Sequence, residues 1–367
     1  MNRSGEIITK ALAEQELKSA EIEYLLSTSE REKQEQIFAA ARKMRERYFD
    51  SKIFTYGFVY FSTYCRNDCR FCYYRRSNPH SPRYRKEPEE ILKISRALAD
   101  SGVHLLDLTM GEDPYYYQRQ DFSRLLKLVR AVKKETGLPL MASFGLWPEE
   151  FLAELYHSGA DWYACYQETH NPELYHQLRI NQDFQTRLEL KKKARREGFL
   201  VEDGILLGVG ENNKDRAKSI LTMKELNVDQ GRVMSFIPQE GTPLESRKTP
   251  SRQQELLVIA VLRLVLKDSL VPASLDVDGI GGLEDRLKAG ANVVTSLIPP
   301  ASGLKGVSNS RLDIEEGHRT VAGVSRVIKD AGLELAALSD YTGWLKRRRE
   351  GNINAGSSSN RRWTAGN

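Results

Sequence analysis

The chain has 367 residues, 40% hydrophobic and 29% charged, ordinary for a soluble globular protein and long enough to bury one large core. No apolar run approaches the roughly 20 residues that span a bilayer, and the polar start Met-Asn-Arg-Ser-Gly-Glu carries no secretory signal. The net charge of +5 sits at one end: Lys346, Arg347, Arg348, Arg349, Arg361 and Arg362 against Glu350 account for all of it, so the body has no electrostatic reason to seek nucleic acid.

Residues 5–48 read as helices, with a start at Ser19 and a strong helical face of Ile37, Ala40, Ala41 and Met44. Residues 1–50 are expected to cap the closed end of a barrel. From residue 51 strands and helices alternate, which implies a parallel sheet. Expected strands are Phe58–Ser62, Val103–Met110, Leu138–Phe144, Asp161–Glu168, Leu200–Val209, Gly231–Ile237, Pro272–Val277 and Ala291–Ile298. Expected helices between them include Pro88–Asp100, Phe122–Glu135, Phe184–Glu197, Lys214–Leu226 and Ser251–Lys267, then Ile314–Ala331. Eight strands in this order are enough for a complete (β/α)8 barrel over residues 51–335, with chemistry on the loops after the strands. Residues 336–367 are expected to hold a last helix and a basic tail, unstructured over the Gly-, Ser- and Asn-rich stretch 351–360. A contact of that tail with nucleic acid or a partner stays open.

The loop after the first strand reads Cys65-Arg66-Asn67-Asp68-Cys69-Arg70-Phe71-Cys72, and the chain has one further cysteine, Cys165. Thiolates are the usual ligands of iron–sulfur clusters. Three of them fill three corners of a four-iron cubane and leave one iron open to a small molecule. A zinc site would need a fourth ligand, for which His80 is the nearest candidate. Few cysteines and no sign of secretion agree with a reducing cytoplasm. Cys165, on an apolar strand, reads as a buried structural thiol.

Alternation along the strands points polar groups into the barrel. Asp107 and Thr109 share one face of the second strand, Ser274, Asp276 and Asp278 one face of the seventh, and Arg232 faces in while Val233 and Ile237 face out. Such groups are costly inside a barrel without a polar ligand or each other. Arg232 pairing with Asp107 or Asp276 is one reading. The other is a pocket whose arginine takes a carboxylate and whose aspartates take two ammonium groups, as in lysine.

The C-x3-C-x-aromatic-C pattern resembles the radical S-adenosylmethionine superfamily, whose fold is a full or partial (β/α) barrel. The resemblance implies a [4Fe–4S] cluster on Cys65, Cys69 and Cys72, with Phe71 beside it and S-adenosylmethionine on the open iron. It also implies a low-potential electron donor such as ferredoxin or flavodoxin. Thr109-Met110-Gly111-Glu112 resembles the segment that meets the cofactor's methionine amino group, with Met110 in place of the first glycine. Glu168 and Arg187 match cofactor contacts of the biotin synthase-like branch, and Gly204-x-Leu206-x-Gly208-x-x-Glu211 resembles its adenine-site motif.

Within that branch, Ser62-Thr63-Tyr64-Cys65, the run Asp107 to Tyr117, Val201-Glu202-Asp203-Gly204, Arg232-Val233-Met234 and Pro272-Ala273-Ser274-Leu275-Asp276 look like the methylornithine synthase family. This implies an isomerase of pyrrolysine biosynthesis that converts L-lysine to (3R)-3-methyl-D-ornithine. A 5′-deoxyadenosyl radical takes hydrogen from C4, the Cα–Cβ bond fragments, and the pieces recombine. Arg232 and Ser274 are implied to hold the substrate carboxylate, Asp107 and Asp276 its amino groups. The alternatives are a metal-cofactor maturase or sulfur inserter of the same branch, or a non-catalytic zinc-stabilised barrel that binds an amino acid.

Overall fold

The computed structural model describes residues 3–117, 122–308 and 311–359, the last eight by backbone only. Eight parallel strands form the barrel: β1 (Lys52–Ser62), β2 (Leu105–Met110), β3 (Leu140–Ser143), β4 (Trp162–Ala164), β5 (Leu200–Leu207), β6 (Gln230–Ser235), β7 (Pro272–Ser274) and β8 (Val293–Leu297). Their order is β6-β5-β4-β3-β2-β1-β8-β7. The remaining seam, between β6 and β7, is joined by the single bridge Gln230–Leu270 at the N-terminal ends of the strands. A two-residue β9 (Glu334–Leu335) adds to the start of β1. Among the described residues no helix is long and apolar enough to cross a membrane.

The strands lie on the expected stretches, except that the first starts at Lys52 instead of Phe58, and the intervening helices cover them with Leu, Ile and Val. Helix ends carry local signals. Pro88 opens its helix, Asn171 and Asp183 accept backbone N–H groups at theirs, and Gly137 closes one in the left-handed region at φ 66°.

Three expectations need correction. The fourth strand stops at Ala164 instead of running to Glu168, because Glu168 takes a left-handed φ of 67°. It still pairs with Ile205 by one bridge. The helix expected over Ile314–Ala331 begins only at Val321, since the preceding turns carry Arg319 back to the barrel. Of the described part of residues 1–50, Phe49 alone joins the cluster at the closed end. Helices Arg3–Leu12, Ser19–Leu26 and Arg31–Phe49 pack on the outer helices Asn213–Glu225 and Arg252–Leu266.

The helix Leu338–Ser359 plugs the barrel floor instead. Tyr341, Trp344 and Leu345 meet Phe54, Tyr56, Leu105, Met141, Trp162 and Val293, the inward residues at the lower ends of the strands. Trp344 stacks on Trp162 at 5.9 Å, and Tyr341 Oη lies 3.0 Å from Tyr56 Oη. Two of the tail arginines are structural: Arg348 reaches Asp229 and Asp268, both at 2.7 Å, and Arg349 reaches Asp161 at 2.8 Å. The helix therefore runs through most of the stretch expected to be unstructured, while Arg361 and Arg362 lie outside the described residues.

Candidate active site

β1 ends in a bulge. Tyr60 pairs with Thr109 and Ser62 with Met110, so Phe61 is an extra residue and the strand bends as it leaves the sheet. The cysteine loop comes next and is tied down by main-chain bonds. Gly111 N–H donates to Ser62 O at 2.9 Å, Arg66 N–H to Glu112 O at 2.9 Å, and Arg70 N–H to Leu178 O at 2.8 Å. Arg83 spends its guanidinium on the carbonyls of Thr63, Tyr74 and Arg75. Beneath the loop, buried Asp113 accepts from Ser62 Oγ at 2.6 Å and from both ends of Arg85 at 2.7 Å. Gly111 is required by packing, because a Cβ there would overlap Tyr64 O and crowd Cys65.

Cys65, Cys69 and Cys72 are free thiols that border one cavity at the C-terminal ends of the strands. Burial, then Cys69 and Glu112, push the Cys65 thiol up to about 12. Burial, then Cys69 and Cys65, raise that of Cys72 further. Three thiolates so placed need a polycation to be stable together. Among the described residues no three of His, Cys, Asp and Glu converge closely enough to hold one metal ion. Three thiols on one cavity wall supply donors for three irons of a four-iron cluster, whereas a zinc site would need a fourth ligand. His80 is exposed and lies 3.5 Å from Glu240, away from the cavity.

Two residues the sequence reading missed reach the sulfurs. Gln182 Nε2 donates to Cys69 Sγ at 3.1 Å and Arg179 Nη1 lies at 3.5 Å from it. N–H groups on ligating sulfur tune a cluster's potential. Arg179 also pairs with Glu168 at 2.9 Å and covers the Phe71 ring at 5.3 Å. No periodic signal marks either residue, since both lie on the turn after the helix Pro172–Leu178.

The groups matched to cofactor contacts cluster next to the thiols. Glu112 accepts from Arg66 at 2.9 Å and stands 3.5 Å from Arg187. Arg187 also donates to Gln182 at 2.8 Å and to Cys165 Sγ at 3.0 Å. Cys165 is buried as expected, and it borders the cavity. Burial raises the Glu168 carboxyl, opposed by Arg179 and Arg187. Gly204 and Leu206 line the cavity, but Gly208 does not. Gly208 is needed for its φ of 87°, and its N–H donates to Glu211 at 2.8 Å. Behind this wall, buried Asp203 accepts from Gln167 N–H and Gly204 N–H at 2.8 and 2.7 Å, and from Lys191 at 2.6 Å. Burial alone would raise the Asp203 carboxyl, but Lys191 and His170 hold it well below its usual value.

The inner end of the same cavity holds Asp107, Arg232 and Asp276. Neither sequence-based pairing for Arg232 occurs. Its Nε donates to Glu202 Oε1 at 2.6 Å and its Nη1 to Thr295 Oγ1 at 2.9 Å. Glu202 was legible only by parity: Leu200, Glu202, Gly204 and Leu206 share the inner face of β5.

Asp276 pairs with Arg319 at 2.7 Å and accepts from Ser296 Oγ at 2.7 Å. Ser296 is aimed there by a bulge in β8, where it takes a φ of 68°. Among the described residues Asp107 accepts from Thr109 Oγ1 at 2.9 Å and Ser143 Oγ at 2.6 Å alone. Burial and then Glu202 push its carboxyl up to about 7, against the hydroxyls and Arg232.

Three expected positions differ. Ser274 is buried outside the cavity lining, its Oγ accepting Asp276 N–H at 3.3 Å. β7 ends there, so Asp278 leaves the interior for Arg252 and Arg286. β6 ends at Ser235, and Ile237, expected outside, lines the cavity.

The model of the Radical SAM superfamily matches residues 59–223. The 3-methylornithine synthase of Methanosarcina acetivorans is 44% identical over 341 residues, 93% of this chain and 96% of that protein. The [FeFe] hydrogenase maturase subunit HydE of Thermotoga maritima is 32% identical over 79% of this chain and 83% of its own. The crystal structure of methylornithine synthase superposes with a TM-score of 0.87 at 43% identity, covering 92% of this chain and 99% of that one. A three-cysteine loop of this spacing on a nearly closed barrel, with likeness of that extent, has one placement: the chain belongs to the radical S-adenosylmethionine superfamily and, within it, to the methylornithine synthase family.

Proposed function

We propose that the chain isomerises L-lysine to 3-methylornithine inside this cavity, in the cytoplasm, with electrons from a low-potential donor such as ferredoxin or flavodoxin. The observation that carries the reading is the continuity of one cavity from the three thiols to a charged inner end whose single unpaired carboxylate is Asp107. Among the described residues the other lining carboxylates, Glu112, Glu168 and Asp276, each meet an arginine. L-lysine carries two ammonium groups and one carboxylate, and so brings the positive charge that end lacks.

Cys65, Cys69 and Cys72 would hold the cluster, and Gly111, Glu112, Glu168 and Arg187 would receive S-adenosylmethionine. When bound, the pair supplies hydrogen abstraction from an unactivated carbon. The protein supplies position. Asp107 and Asp276 take the ammonium groups, and Arg232 takes the substrate carboxylate on the Nη that Glu202 and Thr295 leave free. A skeletal rearrangement leaves two fragments in the site for a moment. Holding both ends of the substrate keeps them in reach of each other, as an intramolecular reaction requires. Tyr56, Phe58 and Tyr60 wall the space between and exclude water.

The test is anaerobic reconstitution, reduction, and addition of S-adenosylmethionine and L-lysine, with products separated by mass and chirality. An isomer of unchanged mass that co-elutes with 3-methylornithine is expected. Deoxyadenosine without any lysine isomer would remove the substrate from the reading and leave the radical chemistry.

A further inference from the structure

Five charged groups meet at the inner end of the cavity: Asp107, Glu202, Arg232, Asp276 and Arg319. Four cancel in two pairs, Arg232 with Glu202 at 2.6 Å and Arg319 with Asp276 at 2.7 Å. Asp107 is bonded to two hydroxyls and, among the described residues, forms no ion pair; Arg232 acts on it only from a distance. Glu202 is fully buried, is not part of the cavity wall, and meets the cavity through Arg232. Its second oxygen, Oε2, is buried without a close partner, and besides the Arg232 guanidinium the carboxylate is reached by the Tyr166 hydroxyl. If Glu202 were neutral, Arg232 would balance Asp107 and the inner end would carry no net charge.

We propose that Glu202 is a positioning residue that sets substrate specificity: by neutralising Arg232 it leaves Asp107 as the uncompensated charge, and the site then selects an amino acid of net charge +1 over a neutral one of equal length. This rests on the lysine reading above. The geometry supports it twice. Glu202 and Thr295 occupy Nε and Nη1 of Arg232, which fixes the plane of the guanidinium over the Tyr166 ring at 5.7 Å. Asp107 and Arg232 are also both buried, so a single charge there is felt more strongly than at the surface. The groups that face Asp107 are Thr109 on its own strand, Ser143 on β3, Glu202 on β5 and Arg232 on β6.

Calorimetric titration of the reconstituted holoenzyme with L-lysine and with L-norleucine, which lacks only the ε-ammonium, reads the ratio of the two affinities. E202Q is expected to lower the lysine-over-norleucine ratio about tenfold, the effect of one lost charge balance. It is also expected to shift the pH midpoint of lysine binding downward, because Glu202 is one cause of the raised Asp107 carboxyl. The double variant E202Q/R232Q leaves no unpaired buried cation and restores the net charge, so its ratio returns to the wild-type value although both amino acids bind more weakly. An unchanged ratio and midpoint in E202Q would overturn the proposal, as would loss of lysine preference in the double variant. If the wild-type enzyme itself neither binds nor isomerises lysine, the substrate reading fails instead.

Discussion

Asp107 is the residue on which the substrate assignment turns, and its chemistry gives a pH test. Its carboxyl is raised to about 7 by burial and by Glu202. Below that pH it is protonated and cannot pair with an ammonium group; above it the carboxylate is available. The KM for lysine is therefore expected to fall as pH rises through about 7 and then level off. Asp107→Asn should flatten that profile and raise KM about tenfold or more. A wild-type KM that rises over the same interval would contradict the assignment. Asp107 was legible because β2 alternates cleanly. Arg232 and Asp276 were legible as inward groups too, but their partners were not. Glu202 and Arg319 come from β5 and from a turn after β8, and strand parity says nothing about which neighbour a long side chain will choose. Ser274 and Asp278 were misplaced for a related reason. β7 is three residues long, and parity lapses where a strand stops.

At the scale of elements, the cysteine loop and the β2 end cross so closely that only glycine fits at 111. Gly111→Ala should displace the loop and reduce iron incorporation on reconstitution several-fold, with the far-ultraviolet circular dichroism unchanged. Normal iron content in that variant would show that the crossing is looser than the packing implies.

The floor of the barrel makes a second test. Trp344 stacks on Trp162 and donates to Asp268 O at 3.3 Å. Trp344→Ala should cost about 3–5 kcal/mol and lower Tm by several degrees. Loss of stability on the scale of a surface substitution would mean that the last helix does not plug the barrel. The barrel strands were readable from apolar alternation and turn residues. The plug was not, because Tyr341, Trp344 and Leu345 look like one face of any amphipathic helix, and the sequence does not say which surface that face meets. The first three helices posed the same ambiguity, and they lie on the barrel's flank.

At the scale of the whole molecule, one nearly closed barrel holds the cysteine loop and the charged inner end in a single cavity. At the upper half the spacing of Cys65, Cys69 and Cys72 pointed to a cluster, and the groups beside them were named from the family resemblance. The lower half became plain only when buried charges could be paired and the unpaired one found. The claim that joins the halves is that the radical made at the thiol end reaches a substrate held at the Asp107 end.

Isotope transfer tests that claim most directly. L-lysine deuterated at C4 is supplied to the reduced, reconstituted enzyme with S-adenosylmethionine, and deoxyadenosine and amino acids are analysed by mass. Deuterium in deoxyadenosine together with a lysine isomer is the predicted result. Deoxyadenosine formed without deuterium, at the same rate with and without lysine, would contradict the account.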